Sequence, residues 1–353
     1  MQVIRCRSAK EMKKIGAIIL IVGFFLLFSP LLSNFTKGLA GSLERENETV
    51  QTTRDEQVSE NTNESENTAD QMTKITETAE NNDVFKVYMA DSGEVAELTA
   101  LDYITGVVAA EMPAYFDEEA LKAQAVTSYT YACYVRDRAS HDQNNQIRGA
   151  DLSDQSSSYQ AYRSTENLKS IWGDDFQTYY SKVRNAVSEV IGKKIVYDDE
   201  PIMAAFHAMS WGMTEDCENV WGGELTYLKS VDSAEDSENS SFINTFVFTD
   251  SEFKKILGIS GNIEIGEIVY TTAGMVDTVT VNSVVYTGTR IRSLFSLASP
   301  CFTINRTDGN IIFTTKGKGH GVGMSQNGAN ALAKEGYTWD EIILHYYSGV
   351  TIV

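Results

Sequence analysis

Cysteine and histidine are scarce in this chain of 353 residues, which has four of each. Cys6 lies in the basic N-terminal stretch, so three cysteines remain in the rest of the chain, an odd number without any paired motif. This pattern excludes a disulfide framework and leaves open one disulfide among Cys133, Cys217 and Cys301. Cys133 lies on an otherwise apolar helical face, which is typical of a small buried residue.

Basic side chains are also in the minority. Lysine and arginine number 29 against 49 acidic residues, which gives a formal net charge of -20. Beyond the first 14 residues there is no basic cluster, so nothing indicates nucleic-acid binding. Residues 41–83 contain no aromatic residue and twelve acidic residues against three basic ones. Such a chain buries too little apolar surface to offset the entropy lost on ordering, which predicts a disordered acidic linker over residues 33–83.

A long apolar run covers residues 15–32 and is interrupted only by Ser29 and Pro30. Eighteen helical residues span about 27 Å, close to the hydrocarbon thickness of a bilayer. Residues 1–14 carry five basic side chains against one acidic one, so the positive-inside rule places this tail in the cytoplasm. We expect a single-pass membrane anchor with the following chain outside the cytoplasm. A signal peptide cleaved after Ala40 is the alternative.

Residues 84–353 show helix and strand signals in no regular alternation, which predicts one α+β domain. Thr99 and Asp102 are placed to cap a helix over residues 101–111, which Pro113 ends. A second helix is predicted to begin at residue 117, and two more cover 175–191 and 327–334. A last helix begins at a capping box of Thr338 and Glu341 and ends at Tyr347. Strands are predicted over 245–248, 264–270, 276–281 and 311–315, and a hairpin joins 194–197 to 202–210.

The most distinctive motif places five glycines around His320, within residues 316–329. Glycine admits strained backbone and lets a partner approach closely, so the loop exposes backbone amides and an imidazole together. It leads into a helical run, whose N-terminus attracts oxygen-rich ligands. The glycine spacing fits neither a phosphate-cradling loop nor a dinucleotide fingerprint. On these residues alone, a strand-to-helix turn is the alternative to a binding site.

Together with residues 337–350, this loop resembles the C-terminal signature of the stage II sporulation protein D family of cell-wall glycan-cleaving enzymes. Residues 107–113 with 119–126 resemble the family's catalytic block, and residues 206–222 resemble its middle block. The blocks follow in the family's order and span residues 84–353. The resemblance implies a membrane-anchored lytic transglycosylase that acts on peptidoglycan during spore engulfment.

The family's proposed catalytic acid corresponds to Glu111. This residue shares one helical face with Leu101, Ile104 and Val108 and lies near the negative C-terminal end of its helix. Burial and the helix dipole both disfavour the charged carboxylate and raise its pKa, which suits a general acid near neutral pH. From the residues alone, a salt bridge at a helix end is the alternative.

Most glycosidases pair such an acid with a second carboxylate, and no obvious partner accompanies Glu111. Glu215 and Glu218 are left open for that role. The resemblance implies instead that the 6-hydroxyl of N-acetylmuramic acid displaces the leaving sugar and leaves a 1,6-anhydro end. One carboxyl group then serves as acid and later as base. The family's substrate is denuded glycan, already stripped of its stem peptides.

Seven further residues are candidates for substrate binding. An aromatic ring can stack on a sugar, and imidazole, hydroxyl, amine and amide groups can bond its hydroxyl or acetamido groups. His320 is the better ligand because its glycine neighbours provide no core to pack against. The alternatives are a core role for His207, Trp211 and Trp221, and an ordinary solvated side chain for Lys318. The candidates are His207, Ser210, Trp211, Thr214, Lys318, His320 and Gln326.

Some family members hold a metal with cysteine and histidine in the loop after the second long helix. Here residues 151–162 contain no cysteine, and the nearest histidine is His141. We therefore expect no zinc site and no cofactor. Asp151 and Asp154 are candidates for a hard cation, although two carboxylates in a polar loop usually face water.

The resemblance also implies partners for the protein. They are peptidoglycan glycan strands, a cell-wall amidase and endopeptidase that makes the denuded substrate, and a membrane protein that recruits both enzymes. The alternative function is a non-catalytic wall-binding module or amidase enhancer, because relatives in the wider family are described as enhancers. Retention of Glu111 in its Ala-Ala-Glu-Met-Pro setting favours the enzyme.

Overall fold

The computed structural model describes residues 83–141, 147–156 and 158–353. The predicted cytoplasmic tail, membrane helix and nearly all of the linker lie outside these residues. In the part of the chain that is described, no helix is both long and apolar enough to cross a membrane. Helices alternate irregularly with short strands, which confirms the mixed α+β class.

The first half of the domain packs helices beside a small sheet. β1 (Val84–Met89) and β2 (Glu94–Thr99) form an antiparallel hairpin, and β3 (Leu152–Ser153) runs parallel to β1. α2 packs against α1 and α4, and its buried alanines let these helices approach closely. The helices are α1 (Ala100–Glu111), α2 (Glu118–His141), α3 (Thr165–Trp172) and α4 (Phe176–Val190).

Both predicted ends of α1 and the predicted start of α2 are confirmed. Thr99 Oγ1 accepts the Asp102 N–H at 3.1 Å at the start of α1. Met112 is extended, with φ −116° and ψ 144°, because the following Pro113 disfavours helical backbone. Asp117 Oδ1 accepts the N–H two residues later at 3.1 Å, at the start of α2. These signals fix Glu111 at the end of α1.

The middle of the chain departs from the predicted hairpin. β4 (Ile195–Tyr197) pairs with β5 (Glu200–Pro201) and with the C-terminal β16 (Thr351–Ile352). The predicted strand over residues 202–210 is wrong, because only β6 (Phe206–His207) and an isolated bridge from Met209 to Lys318 have strand pairing there. β6 pairs in parallel with β15 (Met324–Ser325). Hydrogen bonds between residues two apart, such as Ala205 N to Met203 O at 2.8 Å, turn the chain before β6.

The C-terminal signature folds back onto the first half. α8 (Gln326–Lys334) follows β15 directly, and α9 (Trp339–Tyr346) begins at the predicted capping box, in which the Thr338 N–H donates to Glu341 Oε2 at 3.0 Å. Both helices pack against α2. The short α5 (Cys217–Trp221) and the paired β7 (Gly212–Met213) and β8 (Asp232–Ser233) lie between the two halves in sequence.

Residues 243–316 form a lobe with a hydrophobic core of its own. At its centre, the Phe295 ring lies 5.0 Å from both Phe253 and Phe313, measured between ring centroids. The lobe's two ends meet, because Ile243 pairs with Lys316. All four predicted strands of this region are confirmed, whereas its two helices were not predicted. The elements are β9 (Ile243–Thr249), α6 (Asp250–Leu257), β10 (Ile265–Tyr270), β11 (Val276–Val281), β12 (Val284–Thr287), α7 (Gly288–Phe295), β13 (Phe302–Thr307) and β14 (Asn310–Lys316).

Candidate active site

Glu111 is half-buried at the last position of α1. Its Oε1 accepts the backbone N–H of Ala161 at 2.6 Å. Burial raises the pKa of this carboxyl group to about 7, and hydrogen bonds from Ala161 and from the Gln326 side chain oppose the rise. Glu111 therefore exchanges its proton near neutral pH, as a general acid must.

A line of buried amide and hydroxyl groups leads from α2 to this carboxyl group. Gln326, the first residue of α8, hydrogen-bonds Glu111 and also donates from Nε2 to Gln124 Oε1 at 3.3 Å. Gln124 in turn donates to Ser128 Oγ at 2.9 Å. These contacts orient Gln326 and, through it, Glu111. The role of Gln326 in substrate binding stays a prediction.

His207 and His320 lie together, with ring centroids 5.6 Å apart. The Nδ1 of His207 lies 3.2 Å from the Val322 carbonyl, and since a carbonyl only accepts, this nitrogen carries the proton. The Nε2 of His207 therefore carries a lone pair and can only accept a hydrogen bond. This atom is buried without a partner among the described residues. Burial lowers the pKa of His207 to about 4, so the ring stays neutral at physiological pH.

His320 is fixed more fully than its neighbour. Its Nδ1 accepts the Val322 N–H at 3.1 Å, and the Trp221 ring packs against it at 5.0 Å between centroids. Burial holds the pKa of His320 well below its usual range, and the nearby His207 and Arg292 lower it further. The expectation that His320 lacks a core to pack against is wrong, because two rings and the loop backbone enclose it.

The glycine-rich loop lies against the segment around β6. Gly323 has φ +72°, and a methyl group there would lie 2.0 Å from the Ala205 carbonyl oxygen. A methyl group at Gly321, where φ is +84°, would come within 2.1 Å of the Trp211 ring. The glycines therefore serve close packing between the loop and residues 205–211. Exposure of the loop backbone to a ligand stays a prediction.

Ser210 and Thr214 are fully buried, and both hydroxyl groups are engaged inside the protein. Ser210 Oγ donates to Asp236 Oδ2 at 2.6 Å, and Thr214 Oγ1 accepts the Val231 N–H at 2.9 Å. Asp236 also accepts Ser325 Oγ at 2.9 Å. A glycan contact by Ser210 or Thr214 stays a prediction, and it would require these internal bonds to open.

Trp211 and Lys318 differ in exposure. Trp211 is buried and donates from Nε1 to the Ala273 carbonyl at 2.8 Å, which ties the loop region to the lobe. Lys318 is exposed, and its backbone N–H donates to Met209 O at 2.7 Å. Of the two, only Lys318 is exposed to solvent, and its role in substrate binding stays a prediction.

Four of the candidates therefore form two groups, which the short strand β15 connects. Gln326 hydrogen-bonds Glu111 in the first group, and the rings of His207 and His320 pack together in the second. Ser325 pairs with His207 between β15 and β6, and Gln326 is the next residue, so the two groups are adjacent. Ala161 and Asp236 were not predicted, because a backbone N–H leaves no sequence signal and an aspartate in an acidic, serine-rich run resembles a solvated one.

Both acidic residues left open as a second carboxylate have other partners in the structure. Glu215 is 1% exposed, and its two oxygens accept Asn219 Nδ2 and Thr271 Oγ1, each at 2.7 Å. Glu218 is exposed and forms an ion pair with Lys229 at 3.3 Å. The first holds the fold together and the second faces solvent.

The two aspartates considered for a hard cation have other partners, and the cysteines form no disulfide in the described part of the chain. Asp151 Oδ2 accepts the Lys86 N–H at 3.0 Å and Asp154 Oδ1 accepts the Ala90 N–H at 2.9 Å, so both carboxylates hold β1. Across residues 83–141, 147–156 and 158–353, no cluster of three or more metal-ligating side chains occurs. The three cysteines of this region are free thiols.

We predict that removal of metal ions changes neither activity nor melting temperature. The measurement is thermal unfolding and turnover before and after EDTA treatment, with zinc added back as the control. Metal analysis of the purified chain should find no stoichiometric zinc. One tightly held zinc ion per chain, with a fall in melting temperature on chelation, would contradict the prediction.

A family model with the description Stage II sporulation protein matches residues 88–197 of the chain. Stage II sporulation protein D of Bacillus subtilis (strain 168) is 39% identical over 269 residues, which cover 75% of this chain and 78% of that protein. The protein of the same name from Bacillus amyloliquefaciens is also 39% identical, over 75% of this chain and 77% of its own. The chain belongs to the stage II sporulation protein D family.

A more distant similarity extends to a protein of another description. The amidase enhancer of Bacillus subtilis (strain 168) is 23% identical over 306 residues, which cover 70% of this chain but 40% of that protein. The family model includes Glu111 and Ala161, and the alignments with the sporulation proteins cover three quarters of the chain.

Proposed function

We propose that this protein is a membrane-anchored lytic transglycosylase that cleaves denuded peptidoglycan glycan strands during spore engulfment. The observation that carries the proposal is the half-buried Glu111 carboxyl group, whose pKa burial raises to about 7. It lies in the segment shared with the sporulation proteins. A carboxyl group that is protonated near neutral pH is what protonation of a glycosidic oxygen requires.

In the proposed reaction, Glu111 donates its proton to the glycosidic oxygen as the bond to C1 of N-acetylmuramic acid breaks. Positive charge develops on the ring as an oxocarbenium-like transition state. The 6-hydroxyl of the same sugar attacks C1, and the Glu111 carboxylate takes the proton of that hydroxyl. The products are a free sugar end and a 1,6-anhydro end, with no water consumed and Glu111 protonated again.

The state of the other buried carboxylates supports a single catalytic carboxyl group. Glu215 accepts hydrogen bonds on both oxygens, and Asp236 is held by Ser210, Ser233 and Ser325. Neither is free to act as nucleophile or base without losing these bonds. An internal hydroxyl nucleophile makes a second carboxylate unnecessary.

The histidine pair supports binding of a hydroxyl-rich ligand. The unpartnered Nε2 of His207 is a neutral acceptor, because the Val322 carbonyl holds the proton on Nδ1. A sugar hydroxyl or a bridging water is a suitable donor for such an atom. The half-buried Trp221 packs its ring on His320, and Lys318, two residues before His320 in sequence, is exposed.

The proposal includes the location and the partners. Residues 15–32 would anchor the chain with its N-terminus in the cytoplasm, and the domain would act outside the membrane. A cell-wall amidase and endopeptidase would supply denuded strands, and a membrane protein would recruit both enzymes. The alternative, a non-catalytic wall-binding module or amidase enhancer, is favoured by the similarity to the amidase enhancer.

The proposal predicts the chemical form of the product. Incubated with amidase-treated glycan strands, the protein should release fragments that end in 1,6-anhydro-N-acetylmuramic acid. Mass spectrometry distinguishes them from hydrolysis products, which retain one more water. Strands that keep their stem peptides are the matched control and should be cleaved far less.

Two other results would contradict the proposal in different ways. Ordinary reducing ends would mean hydrolysis and a second carboxylate outside those described here. Binding without cleavage, together with faster cleavage by an added amidase, would support the enhancer instead.

A further inference from the structure

Residues 160–163, here called the strap, cross α1 at Gly106. The Arg163 N–H donates to the Gly106 carbonyl at 3.2 Å. A methyl group at Gly106 would lie 2.4 Å from Tyr162 Cε2 and 2.6 Å from the Arg163 carbonyl oxygen, closer than atoms pack. Gly106 lies inside a regular helix, so its role is to permit this approach. A larger residue would push the strap away from α1.

Two further contacts fasten the strap on either side of Ala161. Gln160 is 5% exposed and donates from Nε2 to the Ser128 carbonyl of α2 at 3.1 Å. The Tyr162 ring stacks on Tyr103 of α1, with centroids 5.6 Å apart and ring planes 20° apart. The strap is therefore fixed to both α1 and α2. The backbone N–H of Ala161, which lies between these contacts, is held in one direction as a result.

That N–H points at the Glu111 carboxyl group, which it meets at 2.6 Å. We propose that the strap, seated on Gly106, is the positioning element that holds this carboxyl group in one orientation for the glycosidic oxygen. The proposal rests on the function proposed above, because it assigns a role within the same reaction. Gly106 and Gln160 act through Ala161 and touch no substrate themselves.

The groups that surround Glu111 give the sign of the effect. α2 and α8 present the uncharged amides of Gln124 and Gln326, and the titratable neighbour on α1 is Tyr103, which carries no charge at neutral pH. A backbone N–H binds a carboxylate more strongly than the neutral acid, so the bond from Ala161 lowers the pKa of Glu111. Loosening the strap should raise that pKa above about 7.

The test is Gly106→Ala in the full-length protein. Infrared titration follows the Glu111 carboxyl band, which is assigned by its absence in Glu111→Gln. The pKa should move upward by about one unit or more, because one charge-assisted hydrogen bond is lost. Turnover of denuded strands should fall by about 10-fold or more through misorientation. The loss of activity with rising pH should shift to higher pH in parallel with the pKa.

A second variant, Gln160→Met, loosens the strap without adding volume inside the helix. It keeps the size of the side chain and removes Gln160 Oε1, which is buried without a partner in the described part of the chain, so the protein should fold. It should shift the carboxyl band and the pH profile in the same direction. The control is Gly266→Ala in β10, where the added methyl group lies 3.3 Å from Thr280 Cβ, within the lobe. This variant should shift neither the carboxyl band nor the pH profile.

The outcomes separate this proposal from the proposed function. If the two strap variants leave both the carboxyl titration and the pH profile unchanged, the positioning role is wrong even where activity is high. If the wild-type protein cleaves no glycan but the strap variants still shift the carboxyl band, the function is wrong and the control of the Glu111 pKa stands.

Discussion

Glu111→Gln is expected to lower turnover of denuded glycan strands by about 100-fold or more, since glutamine keeps the side-chain shape but has no acidic proton to donate. Strand binding should be largely retained, because the amide still accepts and donates hydrogen bonds. Initial rates of fragment release measure the first effect, and co-sedimentation with strands measures the second. Glu218→Gln is the matched control, since Glu218 is exposed and paired with Lys229.

The pH dependence gives an independent reading of the same group. Wild-type turnover should fall as pH rises through about 7, because the protonated carboxyl group is the donor. Burial raises the pKa of Glu111 from 4.5 to about 7, so its contribution to stability is present at low pH and lost as pH rises through about 7. At pH 8 the Glu111→Gln protein should therefore be at least as stable as the wild type. Equal losses in both glutamine variants would argue against Glu111 as the acid.

Asp236→Ala should cause the largest loss of stability among single changes at the site. Asp236 is 1% exposed and accepts the Ser210 N–H at 3.0 Å and three serine hydroxyl groups at 2.6 to 2.9 Å. Alanine would remove the acceptor that these four buried donors share, at a cost of about 3 kcal/mol or more. The melting temperature should fall by roughly 6 to 12 °C.

Denaturant and thermal unfolding of the variant measure this loss. Asp277→Ala is the control, because Asp277 is exposed on β11, and it should change stability by no more than about 0.5 kcal/mol. Asp236→Asn keeps one acceptor oxygen and should lie between the two. If Asp236→Ala were no less stable than the control, the four hydrogen bonds would contribute nothing to the fold.

Signals between neighbouring residues in the sequence predicted helix α1, which carries Glu111. Thr99 and Pro113 mark the two ends of α1, and both act through neighbours in sequence, so the position of Glu111 follows from short-range sterics and capping. The strands of the lobe were also predicted, because alternation of apolar residues is local. The prediction of a strand over residues 202–210 was wrong, because hydrogen bonds between residues two apart turn the chain there. Such turns compete with extended backbone and have no clear signal in the sequence.

The parts of the site that sequence did not predict depend on contacts between distant segments. Ala161 reaches Glu111 across fifty residues, and Ser325 reaches Asp236 across 89. Gly106 in a helix appears unfavourable by propensity, and its reason becomes visible only when Tyr162 lies over it. Likewise, His320 has only glycines beside it in sequence, but Trp221 and His207 pack on it in space.

The lobe of residues 243–316 has one loop in which residues can be added freely and another in which they cannot. Its tip at the β11–β12 turn, Asn282 and Ser283, lies within the lobe's own sheet, so a longer loop there should leave the remainder of the domain as it is. By contrast, the β10–β11 loop is tied to residues outside the lobe, because Thr271 Oγ1 donates to the Glu215 carboxylate and Trp211 Nε1 donates to the Ala273 carbonyl. Inserted residues should therefore be tolerated at the β11–β12 turn and should destabilise the protein when placed in the β10–β11 loop.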